Sequence, residues 1–164
     1  MRFQLALNVR NLDEAIPYYS KLLGVPVNKR KPGYANFAVD SPPIKLVLFE
    51  APEANERLNH VGFEMETDEV EATISRLEPQ GLADQVIRDE TCCYAKKSTV
   101  YSKDPEGLLW EFYKFRGDAE EFSASTPVGS EVCICPTPEA SVKAEVGCCG
   151  EPTSGPESSA KCCS

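Results

Sequence analysis

Two adjacent cysteines, Cys92 and Cys93, lie in the polar stretch RDETCCYAKK. Neighbouring Cα atoms are about 3.8 Å apart across a trans peptide, below the ~4.4–6.8 Å of a disulfide. The pair therefore suits the binding of one thiophilic atom better than a structural bridge. Lys96 and Lys97 follow, and a nearby ammonium group favours the reactive thiolate. Two small buried hydrophobes, or one buried and one exposed thiol, are the alternative interpretation.

Three other polar residues, Gln4, His60 and Glu111, lie within strand-like segments whose neighbouring residues are mostly apolar. Because strand side chains alternate between two faces, each should point into a cavity or into solvent. An amide, an imidazole and a carboxylate form a set that suits a divalent metal with open positions, similar to the two-histidine-one-carboxylate set of non-haem iron(II) oxygenases. Taken singly, a histidine in a strand is more often an ordinary core or surface residue than a ligand, and Gln4 and Glu111 would most often face solvent.

The surrounding pattern predicts a strand, a helix and three further strands. RFQLALNV alternates as a half-buried strand, and NLDEAIPYYSKLLG predicts a helix with Asn11 as its N-cap and Gly24 as its stop. Pro17 lies inside that helix, so a kink or a late start is expected. Three strand candidates follow, separated by Pro/Gly turns: VPVNKRKPG, YANFAV and IKLVLFE.

The same order then recurs, 60 − 4 = 56 residues further on when measured from Gln4 to His60. LNHVGFEME predicts a strand and TDEVEATISRLEPQG a helix, and three strand candidates follow: DQVIRD, STVYS and LLWEFYKF. We therefore predict an α+β fold in which paired βαβββ modules, about 1–52 and 57–116, form a curled mixed sheet around a metal-binding cavity.

Composition restricts the partners and the compartment. The chain has 164 residues and a net charge of −9, which argues against nucleic acid and anionic membranes as partners. The sequence has neither an apolar stretch of about 18 residues nor a signal-peptide pattern, so a cytoplasmic location is expected. Because that compartment keeps thiols reduced, the eight cysteines suggest metal, metalloid or redox chemistry.

Residues 117–164 differ in composition from residues 1–116. They are acidic and rich in Ser, Pro and Gly, which predicts a flexible, disordered Cys-rich tail after a single domain over 1–116. Closely spaced thiols on a flexible tether could capture soft ions and raise their concentration near the domain. The possible accessory thiols are Cys133, Cys135, Cys148, Cys149, Cys162 and Cys163.

Several stretches resemble the vicinal oxygen chelate superfamily, which includes glyoxalase I, bleomycin-resistance proteins and extradiol dioxygenases. LDEAIPYYSKLLGV and DPEGLLWEFY carry the general resemblance. A second group of segments resembles one branch, the arsenic–carbon lyases, and the related cadmium-induced proteins: FQLALNV, KRKPGYANFAV, PPIKLVLFE, LNHVGFE and ETCCYA. The resemblance covers roughly residues 2–116, and the double cysteine is its most specific part.

This resemblance implies an iron(II)-dependent dioxygenase that cleaves the carbon–arsenic bond of trivalent organoarsenicals, such as methylarsonous acid or reduced aromatic arsenicals, and releases arsenite. It implies Gln4, His60 and Glu111 as metal ligands, with dioxygen as co-substrate, and Cys92 and Cys93 as the catalytic, arsenic-binding thiols. The expected partner is the small molecule, and the protein is expected to be a monomer or a homodimer.

Two other functions remain open. A non-catalytic cadmium- or arsenic-binding protein on the same fold would need the thiols but not the metal ligands. A glyoxalase-like isomerase would need a fourth ligand in the first module, for which Glu50 is the nearby carboxylate. A thiol-based repressor is disfavoured, because the acidic chain has no DNA-binding motif.

Overall fold

The structure is a computed structural model and describes residues 1–120. The first module contains β1, α1, β2, β3 and β4, and the second contains β5, α2, a short 3-10 turn, β6, β7 and β8. In chain order their bounds are Arg2–Val9, Leu12–Leu23, Lys29–Lys31, Tyr34–Val39, Ile44–Glu50, Leu58–Glu64, Thr67–Leu77, Glu78–Gln80, Gln85–Cys92, Ala95–Lys103 and Leu109–Asp118.

All eight strands form one mixed sheet in the order β2-β3-β4-β1-β5-β8-β7-β6. Within each module the first and last strands pair in parallel, and the modules meet where β1 pairs antiparallel with β5. The sheet is curled, as the distance between two rings near its opposite edges shows. The Tyr34 ring on β3 lies 5.8 Å from the ring of Tyr94, which follows β6. The predicted α+β fold of paired βαβββ modules in a curled mixed sheet is confirmed.

Both helices begin with a local capping signal, and α1 also ends with one. The Asn11 side-chain oxygen accepts hydrogen bonds from the backbone amides of Asp13 and Glu14, at 2.8 and 3.2 Å, and Gly24 ends α1 in the left-handed conformation. Glu66 and Glu69 form a reciprocal capping box at the start of α2.

The two helices cover the convex face of the sheet. α1 packs with Val9, Leu46 and Leu48, and α2 packs Val70 and Ile74 against Val100. Because successive strand residues point to opposite faces, the intervening residues of β1, β5 and β8 point to the concave face. Neither helix covers the concave face of the sheet, where polar side chains of these three strands lie.

Two strand boundaries differ from the sequence-based expectations. VPVNKRKPG forms a strand only over Lys29–Lys31, where its residues pair with Tyr34–Asn36. The final strand runs to Asp118, two residues beyond the boundary expected after residue 116, because Gly117 and Asp118 still pair with β7. The predicted tail disorder and the six accessory thiols concern a segment that lies almost wholly outside the described residues.

Neither helix of residues 1–120 is long and apolar enough to cross a membrane.

Candidate metal and thiol site

Gln4, His60 and Glu111 meet on the concave face. Gln4 Nε2 lies 3.0 Å from His60 Nε2 and donates a hydrogen bond to Glu111 Oε2 at 2.7 Å. His60 Nε2 lies 3.2 Å from the same carboxylate oxygen. All three residues are at least 96% buried. The structure therefore brings together the three residues that the sequence nominated as metal ligands.

The strand register explains why they meet. Gln4 on β1 is opposite Gly62 on β5, and Gly62 is opposite Glu111 on β8, while His60 lies two residues before Gly62 on the same face. A Cβ atom on Gly62 would lie 2.3 Å from the backbone oxygen of Glu111. The close approach of β5 to β8 thus depends on glycine. The sequence analysis missed this residue, although glycine within a strand is a known sign of a close backbone contact.

A second hydrogen bond orients the imidazole. His60 Nδ1 lies 2.7 Å from Asn59 Oδ1, while Asn59 Nδ2 donates to Asn8 Oδ1 at 3.0 Å. Because the Asn59 oxygen can only accept, Nδ1 carries the proton and the Nε2 lone pair faces Gln4 and Glu111. This is the arrangement that a metal-binding histidine requires.

A buried lysine contacts the carboxylate from the other side. Lys97 Nζ donates to Glu111 Oε1 and to Tyr101 OH (3.3 Å), and it lies 3.6 Å from Glu90 Oε2. Burial alone would raise the pKa of Glu111, but the Lys97 ammonium outweighs burial and holds that pKa well below its usual value. Glu111 therefore stays ionised, with Oε2 facing Gln4 and His60. Lys96, the other lysine proposed to act on the thiols, is exposed.

Glu90 is a buried carboxylate that the sequence analysis did not single out. It accepts hydrogen bonds from Thr99 Oγ1 (2.8 Å) and Tyr101 OH (3.0 Å). Together, Glu90 and Glu111 place two negative charges around the single charge of Lys97, a net of 1 − 2 = −1. This excess of negative charge in a buried site favours a bound cation. The sequence signal for Glu90 was its place two residues before Cys92 in the polar run RDETCC, since strand residues two apart share a face.

Cys92 and Cys93 lie at the end of β6 and line the same cavity as Gln4, His60 and Glu111. Cys93 and Tyr94 form the two-residue turn into β7, with φ angles of 56° and 59°. The left-handed region is unfavourable for both residue types and is typical of a type I′ hairpin. The turn brings the two Sγ atoms to 2.8 Å from each other.

The cavity that these five residues share is narrow, with about 30 Å³ of free space. That volume holds about one water molecule, so a larger ligand requires side chains to move. The chain has a larger groove of about 590 Å³ near Asn8, Tyr18 and Arg57, but none of the candidate residues lines it. We place the site in the narrow cavity because the thiols, the imidazole and the buried charges converge there.

Glu50, the carboxylate considered as the fourth ligand of a glyoxalase-like isomerase, does not face the cavity. Glu50 Oε1 accepts a hydrogen bond from Leu12 N at 2.9 Å and so caps α1 instead of facing the cavity. The register places Val47 opposite Ala6 in the first module, as Glu111 is opposite Gly62 in the second. An apolar residue thus occupies the first-module position that corresponds to Glu111.

The donor chemistry fits a divalent metal. A carboxylate oxygen, an imidazole nitrogen and an amide side chain converge in a buried, negatively charged site, which suits a metal with open positions. Residues 1–120 contain no group of three His, Cys, Asp or Glu side chains that could hold a metal ion. A set of three ligands at this place would need the Gln4 side chain beside His60 and Glu111. Its amide would have to bind through oxygen.

The model of the Glyoxalase/Bleomycin resistance protein/Dioxygenase superfamily matches residues 3–112. The chain belongs to this superfamily. The Mn(II)-bound glyoxalase from Novosphingobium aromaticivorans shares the superfamily fold with a TM-score of 0.50 at 17% identity, over 73% of this chain and 41% of that chain.

Two relatives with higher sequence identity have names that are more specific than the superfamily. The trivalent organoarsenical cleaving enzyme of Thermomonospora curvata is 42% identical over 90% of this chain and 99% of that protein. The cadmium-induced protein CadI of Mycobacterium tuberculosis is 45% identical over 75% of this chain and 82% of that protein. The resemblance to this branch of the superfamily is confirmed.

Proposed function

We propose that this protein is an iron(II)-dependent dioxygenase that cleaves the carbon–arsenic bond of trivalent organoarsenicals and releases arsenite. The observation that supports this most directly is the shared cavity: the Cys92 and Cys93 sulfurs line the same space as Gln4, His60 and Glu111. The relative from Thermomonospora curvata, named for this activity, supports the same substrate class.

In this proposal the two thiols hold the arsenic atom. Their Sγ atoms lie 2.8 Å apart, so one trivalent arsenic can bond to both sulfurs. Soft thiolates are the ligands that thiophilic centres prefer. The Lys97 ammonium interacts electrostatically with Cys92 and stabilises negative charge on its sulfur. Tethering the substrate beside the metal site makes the following step effectively unimolecular.

The metal would be held by Glu111 Oε2, His60 Nε2 and the Gln4 amide oxygen. Bound iron(II) with open positions would supply the activation of dioxygen. The chain itself binds and orients the arsenical, and Lys97 keeps Glu111 ionised. The overall atoms balance for the smallest substrate: methylarsonous acid and dioxygen give arsenous acid and formaldehyde, with carbon oxidised and dioxygen reduced.

The decisive experiment measures arsenite released from methylarsonous acid by reduced, iron(II)-loaded full-length protein in air. The Cys92→Ser/Cys93→Ser double variant should lose turnover, because no sulfur pair holds the substrate. The matched control is Cys133→Ser/Cys135→Ser, which removes two cysteines that lie beyond residue 120 in the sequence and should retain activity. Wild-type turnover by the Cys92/Cys93 variant would refute the thiol-tether proposal.

Oxygen dependence tests the reaction type separately. Without dioxygen the same loaded protein should release no arsenite, and in air formaldehyde should appear in a 1:1 ratio with arsenite. Arsenite release under strict anaerobiosis would exclude a dioxygenase while leaving the thiol site intact.

Sequestration without turnover is the second candidate, favoured by the 45% identity to a cadmium-induced protein. The two functions differ in what they require of His60. His60→Ala should still bind one trivalent arsenical per Cys92–Cys93 pair, yet it should release no arsenite if the protein is an enzyme. If wild type binds the arsenical and also releases none in air with iron(II), sequestration is the function.

A further inference from the structure

The Gln4 amide faces the wrong way for a metal ligand. Its Nε2 lies 3.0 Å from His60 Nε2 and 2.7 Å from Glu111 Oε2, while Oε1 points away and accepts a hydrogen bond from Tyr113 OH at 2.6 Å. An amide nitrogen carries hydrogens and offers no lone pair to a metal. Gln4 can therefore serve as a ligand only after its amide turns by about 180°.

The contacts explain why the nitrogen faces inward in this structure. Glu111 is a carboxylate with no proton to donate, so an inward amide oxygen would be repelled by it, whereas the NH₂ group satisfies both Glu111 and His60. A divalent cation between these groups reverses the preference, because it attracts the amide oxygen. When the amide turns, the atom that faces Tyr113 changes from the acceptor Oε1 to the donor Nε2.

Tyr113 OH is placed to accommodate both orientations. It is 97% buried, it accepts a hydrogen bond from Lys45 Nζ at 2.8 Å, and its oxygen lies 3.1 Å from Glu64 Oε2, a second acceptor within reach of its proton. Lys45 in turn donates to Glu64 at 2.8 Å. A hydroxyl group has one proton and two acceptor positions, so it can exchange its role with Gln4 without leaving a buried polar atom unpaired.

We propose that Tyr113 is a positioning residue that allows the Gln4 amide to turn, donating to Oε1 in the metal-free protein and accepting from Nε2 when Oε1 faces a metal. In the second state its proton turns to Glu64, while Lys45 continues to donate to the hydroxyl oxygen. This inference rests on the proposed metal centre, since it requires Gln4 to be a ligand.

The test is an anaerobic titration of reduced, metal-free protein with Co(II), followed by the ligand-field absorption of the bound ion. Tyr113→Phe should weaken Co(II) binding by about 10–100-fold, the range for loss of an outer contact to a ligand, and should change the spectrum. Tyr34→Phe is the matched control: this buried tyrosine lines the same cavity, but its OH contacts Asn36 and not Gln4. Its Co(II) affinity should stay within about threefold of wild type.

Repeating the Tyr113→Phe change in a Gln4→Glu variant isolates the role of the amide. In Gln4→Glu protein either carboxylate oxygen can face the metal, so no turn is needed and adding Tyr113→Phe should weaken binding by less than about threefold. An equal loss in both backgrounds, or no loss in either, overturns the proposal. If wild type binds no Co(II), the proposed metal centre is refuted. If wild type binds Co(II) but Tyr113→Phe does not weaken binding selectively in the Gln4 background, only the inference about Tyr113 is refuted.

A crystal structure of Co(II)-bound wild type gives an answer that does not depend on the stability of any variant. Gln4 Oε1 should face the metal, and Nε2 should lie within hydrogen-bond distance of Tyr113 OH. An inward-facing Nε2 at full Co(II) occupancy overturns the proposal.

Discussion

The two βαβββ modules have the same order of elements but contribute unequally to the site. Their pairing is symmetric: Gln4 is opposite Gly62, and Ala6 is opposite His60. The first module contributes a neutral amide, with Val47 where the second module has Glu111. The second module contributes the imidazole, the carboxylate, Lys97 and both thiols. The comparison shows that a repeated scaffold can concentrate the carboxylate, the imidazole and the thiols of one cavity in its second module, while the first module contributes the amide, Lys45 and apolar wall residues.

The largest expected effect tests this asymmetry at the ligands themselves. His60→Ala and Glu111→Ala should each weaken iron(II) or Co(II) binding by more than about 100-fold, beyond the loss that an outer contact causes. Gln4→Ala should weaken it less, because a neutral amide is a poorer donor than a carboxylate or an imidazole. The measurement is anaerobic metal titration with competition. A larger loss for Gln4→Ala than for either second-module ligand would contradict the proposed asymmetry.

Replacing the buried lysine of each module, Lys97 in the second and Lys45 in the first, should lower the free energy of unfolding by different amounts. In metal-free protein, Lys97→Met should lower the free energy of unfolding by about 3–5 kcal/mol, because it leaves Glu111 and Glu90 buried without a cation. Lys45→Met is the matched control and should cost less, because its partner Glu64 is 25% exposed and also lies near Arg2. Urea unfolding at pH 7 measures both. Equal losses would mean that the two lysines do not differ in their buried environments.

The difference in unfolding free energy between wild type and Lys97→Met should change with pH in a defined direction. Because the pKa of Glu111 is lowered in the folded protein, its ionised form stabilises the fold above its unfolded pKa of about 4.3, and that stabilisation is lost as the pH falls toward the folded value. The gap between wild type and Lys97→Met should therefore be widest near neutral pH and shrink below about pH 4. A gap that widens on acidification would show that Lys97 does not stabilise ionised Glu111.

Gly62 should be tightly constrained at the pairing of β5 with β8 in the second module. Gly62→Ala places a Cβ atom 2.3 Å from the Glu111 backbone oxygen, and we expect it to lower the free energy of unfolding by about 2–3 kcal/mol. Gly81→Ala is the control, since its Cβ meets nothing within 4 Å and only its φ of +68° is unfavourable. That change should cost about 1 kcal/mol. If Gly62→Ala costs no more than Gly81→Ala in urea unfolding, the approach of β5 to β8 is not rigid.

The smallest effect concerns Glu50. Glu50→Ala removes the acceptor for Leu12 N and should lower the free energy of unfolding by about 1 kcal/mol, as for other helix-capping losses. Co(II) affinity should not change, because the carboxylate caps α1 instead of facing the cavity. A clear loss of metal affinity would restore the isomerase alternative and make the first module a provider of two ligands.

Much of the fold was predictable because its signals are local. The Asn11 cap, the Gly24 stop and the alternation of RFQLALNV each depend on residues within a few positions of one another, and all three predict the observed elements. VPVNKRKPG was overextended as a strand, because only Lys29–Lys31 pair with Tyr34–Asn36 across the short turn that follows, and composition alone does not show where that pairing begins.

By itself the sequence determined the candidate ligands and thiols: the family resemblance and the repeated order of elements single out Gln4, His60, Glu111, Cys92 and Cys93. Only the tertiary structure decided that Lys97 and not Lys96 lines the cavity, that Val47 holds the position equivalent to Glu111, and that Tyr113 contacts Gln4. The reason is physical. Alternation along one strand assigns a residue to a face, whereas its contacts across that face depend on the register between strands far apart in sequence.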